Sequence, residues 1–161
     1  MVESRPAVER AQPPKGPFVA LNALMRAVLR SPLGARLGNR IVLLSYTGRK
    51  TRRSYCVPVA VHELDGRLLT LTSSMWRHNF HERAPVTVRR AGQDLHLTAL
   101  LQDDPDKVAT TYTSLIARIG HERAGRQLGI RINVERMPTH EELADASRRS
   151  GLSVVSYEPR A

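Results

Sequence analysis

The chain has one cysteine, Cys56. A lone thiol excludes an internal disulfide framework and fits a reducing compartment. Aromatic residues make up only 4% of the sequence, which weighs against single-stranded nucleic-acid binding, because that mode needs stacking platforms. No apolar run approaches the roughly 20 residues that cross a bilayer as a helix. The N-terminus has no apolar signal core. A cytoplasmic protein is expected, touching a membrane at most from its inner face. Acidic residues are also scarce, at 15 Asp and Glu against 25 Lys and Arg, a formal net charge of +10. Such a surface attracts phosphorylated small molecules, anionic lipid or nucleic acid. No helix-turn-helix, zinc or RNA-recognition signature supports the last. Nucleophile elbow, Walker loop and dinucleotide fingerprint are missing too.

What is present is enough for one domain. A length of 161 residues buries a real core without metal or disulfide help. The cations are mostly arginine, whose planar fork suits phosphate and carboxylate.

The first 17 residues are polar and carry Pro6, Pro13, Pro14 and Pro17. They read as a disordered leader, with a single domain over 18–161. A helix is predicted over Phe18–Arg30, with Leu21, Leu24, Met25 and Val28 on one stripe and Asn22, Arg26 and Arg30 on another. Such a stripe packs on a sheet more often than on lipid, although a weak membrane-surface contact is the alternative. Ser31-Pro32 then opens a short turn that Gly38 stops.

The chain is organised around 41–80. Ile41–Thr47 reads as a buried strand. The loop Gly48-Arg49-Lys50-Thr51-Arg52-Arg53-Ser54 follows, with four cations in five residues. A second strand runs from Tyr55 to His62, and Pro58 within it marks an edge, a bulge or interrupted pairing. Asp65-Gly66 is a type I′ hairpin signal, and Leu68–Thr72 is the returning strand. Ser74 is placed to cap a helix over Met75–Arg83. Further on, Pro85–Arg90 and Asp94–Leu101 form a hairpin through Ala91-Gly92-Gln93. Asp104-Pro105 starts a helix with Val108, Tyr112, Leu115, Ile116 and Ile119 on its buried stripe, ending at Gly120. Residues 121–138 are ambiguous. Thr139 to Glu142 is a capping box, and Leu152–Tyr157 is a last strand. About six hairpin-linked strands without βαβ alternation predict an α+β fold, mostly antiparallel, as a small barrel with helices packed outside.

Two constellations are candidates for chemistry. The basic turn can point backbone N–H groups at an anion, and its side chains add charge-assisted bonds; a solvated turn is the plain alternative. Ser73-Ser74 and Met75-Trp76 offer hydroxyls, a helix start and an aromatic plane; a capped helix with a core tryptophan competes. His78 and His81 lack the partners of a metal site. Cys56, in a strand, reads as a small core residue before a nucleophile. Tyr46 and Tyr55 are candidates to face a ligand, whereas Tyr112 belongs to a packed stripe.

Taken together, Arg-Ser-Pro-Leu ending a helix, Thr47-Gly48-Arg49-Lys50-Thr51, Val57-Pro58-Val59, Asp65-Gly66 and Met75-Trp76-Arg77-His78-Asn79-Phe80 resemble the deazaflavin-dependent nitroreductases and quinone reductases of actinobacteria. The resemblance covers roughly 22–101. It implies a split β-barrel, coenzyme F420 as cofactor and hydride transfer to a quinone or nitroaromatic acceptor. On the matching positions it implies that Arg49, Lys50 and Thr51 bind the cofactor's phosphate and acidic tail. Val57, Pro58 and Val59 would line the ring with their backbone. Ser73, Ser74, Met75 and Trp76 would border ring and phosphate, and Asn79 would be structural. Arg52 stands where the family has glycine, and Ser73-Ser74 leads straight into Met75 where many members have a longer loop. Arg52, Arg53 and Arg77 would rebuild that part of the cradle. FMN is the alternative cofactor, and a non-catalytic binder of a flavin-like or lipidic ligand is the alternative function. No protein nucleophile, metal or nucleic-acid partner is implied, and the assembly would be a monomer or a homodimer.

Overall fold

The computed structural model describes residues 4–11, 18–32 and 40–160, without the side chains of 18–22. The elements in order are β1 (Val8–Arg10), α1 (Phe18–Arg30), β2 (Ile41–Thr47), β3 (Ser54–Ala60), β4 (His62–Leu64) and β5 (Arg67–Thr72). A 3-10 helix (Met75–Phe80), β6 (Ala84–Arg90), β7 (Gln93–Gln102), α2 (Pro105–Ile119), α3 (His121–Leu128), β8 (Ile130–Ile132), α4 (His140–Ser150) and β9 (Ser153–Pro159) follow. The chain falls into two compact units. The first comprises Met1–Pro13, Leu71–Arg77 and Leu101–Val155, and the second Pro14–Thr70, His78–Leu100 and Ser156–Ala161.

The fold is α+β. Seven strands join in the order β3-β2-β6-β7-β9-β5-β4. The two ends of that order, β3 and β4, are consecutive in the chain and separated by Val61 alone. Val61 is buried, and its N–H donates to the Arg40 carbonyl at 2.8 Å. One residue therefore carries the chain from one end of the strand order to the other. A flat sheet does not allow that, so the sheet is curled in the manner of a half-barrel, consistent with the expected split barrel. β3 pairs with β2 alone and is an edge strand, which is where a strand proline such as Pro58 is tolerated.

The β4-β5 and β6-β7 hairpins have two-residue turns of the kind that matches strand twist. Asp65 and Gly66 have φ of 52° and 74° between the paired Leu64 and Arg67. Ala91 and Gly92 have φ of 50° and 80° between Arg90 and Gln93, so Gln93 belongs to the strand where sequence pattern put it in the loop. Val42, Leu43, Leu44, Val86, Val88 and Phe80 form the apolar interior of the second unit. α1 packs against β2 and β3, with Leu29 buried and Leu24 exposed.

In the first unit Asp104 caps α2, its carboxylate accepting from the Lys107 N–H at 3.1 Å. Val108, Tyr112, Leu115 and Ile116 are buried on the expected stripe. Burial raises the pKa of the Tyr112 phenol. Thr139 and Glu142 complete the capping box of α4, which ends at left-handed Gly151.

Three expectations change. Val8–Arg10, inside the expected leader, is a strand paired antiparallel with Ile130–Ile132; three polar-flanked residues carry no period that sequence reading can detect, and only β8 gives them a partner. Residues 121–138 resolve into α3 and β8. The helix after Ser74 is a single 3-10 stretch ending at Phe80, because β6 already begins at Ala84. The turn expected to run to Gly38, like most of the leader's prolines, lies outside the described residues.

Candidate functional site

The basic turn joins β2 to β3 in the second unit. Gly48 is its hinge. The Gly48 N–H donates to the Arg53 carbonyl at 2.8 Å, and the Arg52 N–H returns to the Gly48 carbonyl at 2.9 Å. The Arg49 N–H donates to Asn79 Oδ1 at 2.8 Å, and the Arg53 N–H to Thr51 Oγ1 at 3.3 Å. Thr51 Oγ1 also pairs with the Tyr55 hydroxyl at 2.9 Å. Four backbone donors are thus occupied inside the protein. The turn is no anion nest built on those N–H groups. Its cationic side chains, Arg49, Lys50, Arg52 and Arg53, are what it offers to solvent, and all four residues are exposed. Asn79 has the structural role expected of it.

Tyr55 stacks on Tyr46 with ring centroids 5.4 Å apart, and Tyr46 meets Phe80 edge-on at 5.4 Å. Burial, and then the neighbouring Tyr55, push the Tyr46 pKa up, so this phenol stays neutral through the physiological range.

Beside the turn lies a cleft of about 660 Å³, within the range of small-molecule sites. Strand register builds its floor. Ser45 pairs with Cys56 on β3 and with Thr87 on β6, and Thr87 pairs with His96 on β7. Directly opposed residues share a face, so Cys56, Ser45, Thr87 and His96 form one polar row. Thr87 Oγ1 and His96 Nδ1 are 3.3 Å apart. Thr47, Ser54 and Pro85 share that face by alternation and also border the cleft.

Three arginines complete it. Arg26 and Arg30 stand one turn apart on α1, and Arg160 arrives from the end of the chain. Arg160 is fixed by Nε to the Leu97 carbonyl at 3.2 Å and by Nη2 to the Val86 carbonyl at 3.1 Å. Among the described residues that border this space there is no carboxylate side chain. The arrangement attracts an anion and offers it hydroxyls and guanidinium forks. Cys56 and His96 are three strands apart, about 14 Å at the usual strand spacing. They do not form a nucleophile–base pair.

The expected site residues are distributed as follows. Arg49, Lys50, Thr51 and Arg53 lie on the turn between Thr47 and Ser54, the two residues where β2 and β3 meet the cleft. Val57, Pro58 and Val59 continue β3 beyond Cys56, and Val59 is buried. Ser73, Ser74, Met75, Trp76 and Arg77 belong to the first unit. There the Ser74 N–H donates to Thr72 Oγ1 at 3.0 Å, Met75 is exposed and Trp76 is half-buried. Arg77 reaches back to the carbonyls of Ser73 and Ser74. Among the described residues no group of three metal-ligating side chains occurs. His78 and His81 stack at 5.1 Å and share a hydrogen bond of 3.0 Å.

Sequence reading missed Arg26, Arg30, Arg160, Ser45 and Thr87 as site residues. The four-residue spacing of Arg26 and Arg30 was a usable signal. Arg160, the penultimate residue of the sequence, gave none.

No protein-family model matches the chain, and no curated protein does. Among solved structures, one described as a domain-swapped dimer aligns over 89% of this chain and 100% of its own, at 17% identity and a TM-score of 0.45. Among the described residues no helix is long and apolar enough to cross a membrane.

Proposed function

We propose that the chain is a cofactor-dependent oxidoreductase of the deazaflavin type, reducing a quinone or nitroaromatic acceptor. The observation that carries the reading is the cleft between α1 and the β3-β2-β6 floor. It gathers Arg26, Arg30 and Arg160 over a hydroxyl-rich row, with no carboxylate among the described residues that border it. A polyanionic cofactor needs such a seat, and the basic turn adjoining it extends the positive field. The residues present fit the group on these grounds. Arg26, Arg30 and Arg160 would hold its charged oxygens, with Arg49, Lys50 and Arg53 drawing the acidic tail along the turn. A bound deazaflavin supplies the hydride. The chain's contribution is to bind, orient and screen from water. Ser45 and Thr87 offer hydroxyl hydrogen bonds from the floor. FMN, with one phosphate and no acidic tail, would use the cleft and leave the turn idle.

The test is a fluorescence titration of the protein with the deazaflavin and with FMN separately. Saturable quenching by the deazaflavin, weakened by Arg30→Ala and by Lys50→Ala, is expected. Quenching by neither sinks the reading. Binding without turnover of menadione or a nitroaromatic would leave a ligand-binding protein and remove the catalytic claim.

A further inference from the structure

A second arginine cluster lies in the first unit, outside the site just described. A cleft of about 590 Å³ is bordered by Glu9, Arg10, Arg131, Arg149 and Ser150. Its cations come from β1, β8 and α4, far apart in sequence. Three arginines and one acidic residue border it. Arg149 is tethered, with Nε on Asp145 at 2.7 Å and Nη2 on the Val8 carbonyl at 2.9 Å. A guanidinium has five N–H donors, so Arg149 keeps others for a ligand. The side chains of Arg10 and Arg131 have no hydrogen-bond or ion-pair partner among the described residues. Arg131 is opposed to Glu9 in the strand register, yet no ion pair joins them.

A fourth arginine stands behind the cleft. Arg77 Nη2 lies 2.9 Å from where a side chain on Gly151 would begin, next to Ser150. Its Nε is buried without a hydrogen-bond partner. Burial lowers its pKa, Asp103 opposes the shift and the charge of Arg10 adds to it. Like charges gathered this way repel one another. Neither helix packing nor strand pairing requires Arg10 and Arg131 to be cations. A multivalent anion removes the repulsion and uses the open donors.

We propose that the cleft bordered by Arg10, Arg131 and Arg149 is a binding site for a multiply charged phosphoryl group, separate from the cofactor cleft. The group is either a free di- or polyphosphate or a phosphomonoester lipid headgroup. Ser150 adds a hydroxyl to its oxygens, and Glu9 sets an upper limit on affinity.

Calorimetric titration of the full chain with pyrophosphate at low salt tests the free source. Co-sedimentation with phosphatidic-acid vesicles, against phosphatidylcholine vesicles, tests the lipid source. Arg10→Ala and Arg131→Ala should each weaken binding about tenfold, the usual worth of a charge-assisted hydrogen bond, while both proteins keep the wild-type melting temperature. Glu9→Gln should tighten binding about threefold by removing one opposing charge. Arg26→Ala and Arg30→Ala, in the other cleft, should leave this affinity unchanged. Capture by either probe with that mutational pattern supports the site and identifies its source. Absence of binding to both, or binding insensitive to Arg10→Ala and Arg131→Ala, overturns it. Binding lost only through Arg26→Ala or Arg30→Ala overturns it as well, without touching the cofactor reading.

Discussion

Gly48→Ala tests whether the basic turn is a built feature. A methyl group on Gly48 would meet Thr51 Oγ1 at 2.5 Å and Tyr55 Cε2 at 2.7 Å. Neither neighbour is free to retreat. Thr51 Oγ1 accepts from the Arg53 N–H and pairs with the Tyr55 hydroxyl, and Tyr55 is stacked on Tyr46. Overpacking of this kind costs about 1–3 kcal/mol, and breaking the Thr51–Tyr55 bond adds about 1 kcal/mol. The stiffer unfolded chain returns about 0.4–1 kcal/mol. The net loss is about 2 kcal/mol, or about 4–8 °C in melting temperature for a chain of this size. Differential scanning calorimetry reads it directly. On a Thr51→Ala background the same substitution should cost about 1 kcal/mol less, because one of the two clashing atoms is gone. A Gly48→Ala protein melting within about 1 °C of wild type would refute the account of a closed, internally bonded turn.

Other expectations follow from single contacts. Arg52 sits at φ 58°, a left-handed conformation that costs a non-glycine residue about 1 kcal/mol; Arg52→Gly should raise the urea midpoint, and an unchanged or lower midpoint counts against that strain. Asp104→Ala should cost about 1 kcal/mol through loss of the α2 cap, read by the same melt. The bidentate Arg136 pair, then the Thr139 N–H, hold the Glu142 pKa down to about 2 from an ordinary 4.5. A depressed carboxyl stabilises fully above its ordinary value and stops doing so as pH falls through about 2. Glu142→Gln should therefore be less stable than wild type at neutral pH, with the two curves converging below that point; a constant gap would contradict the linkage. Tyr157 donates to Thr70 Oγ1 at 3.0 Å where both are buried; Tyr157→Phe should cost about 1–3 kcal/mol, part of it regained in a Tyr157→Phe/Thr70→Val double variant.

Local signals in the sequence were strong wherever one residue type meets one backbone need. Asp65-Gly66 named its own turn because only such a pair accepts two positive φ values cheaply. Asp104-Pro105 and Thr139–Glu142 named their helix starts for the same reason, and α1 and β2 begin and end where periodicity placed them. Pro58 left three options open, and strand order selects the edge. Val8–Arg10 was illegible because its pairing partner lies more than a hundred residues away. The site was half legible. The turn's charge is written in five consecutive letters, but the fate of its N–H groups is not. That depends on Asn79, thirty residues on, and on Thr51 folding back. Arg160 could not be nominated, since its place beside Val86 and Leu97 follows from strand order alone.

A nest of backbone N–H groups is rigid and short-ranged, and salt affects it little. Here the N–H groups of Gly48, Arg49, Arg52 and Arg53 are engaged within the protein, so grip depends on side chains at partly exposed positions. Interactions between exposed charges fall off within about 8 Å at physiological ionic strength. The affinity of the cleft bordered by Arg26, Arg30 and Arg160 for an anion should therefore drop steeply as salt rises. Arg160 is the exception. Its guanidinium is already aligned by two carbonyls, so little freedom is lost when a ligand arrives. Arg160→Ala should therefore weaken ligand binding more than Arg53→Ala does, and the gap should widen as salt is added. A gap that closes with salt would mean that long-range charge alone, without a positioned fork, holds the ligand.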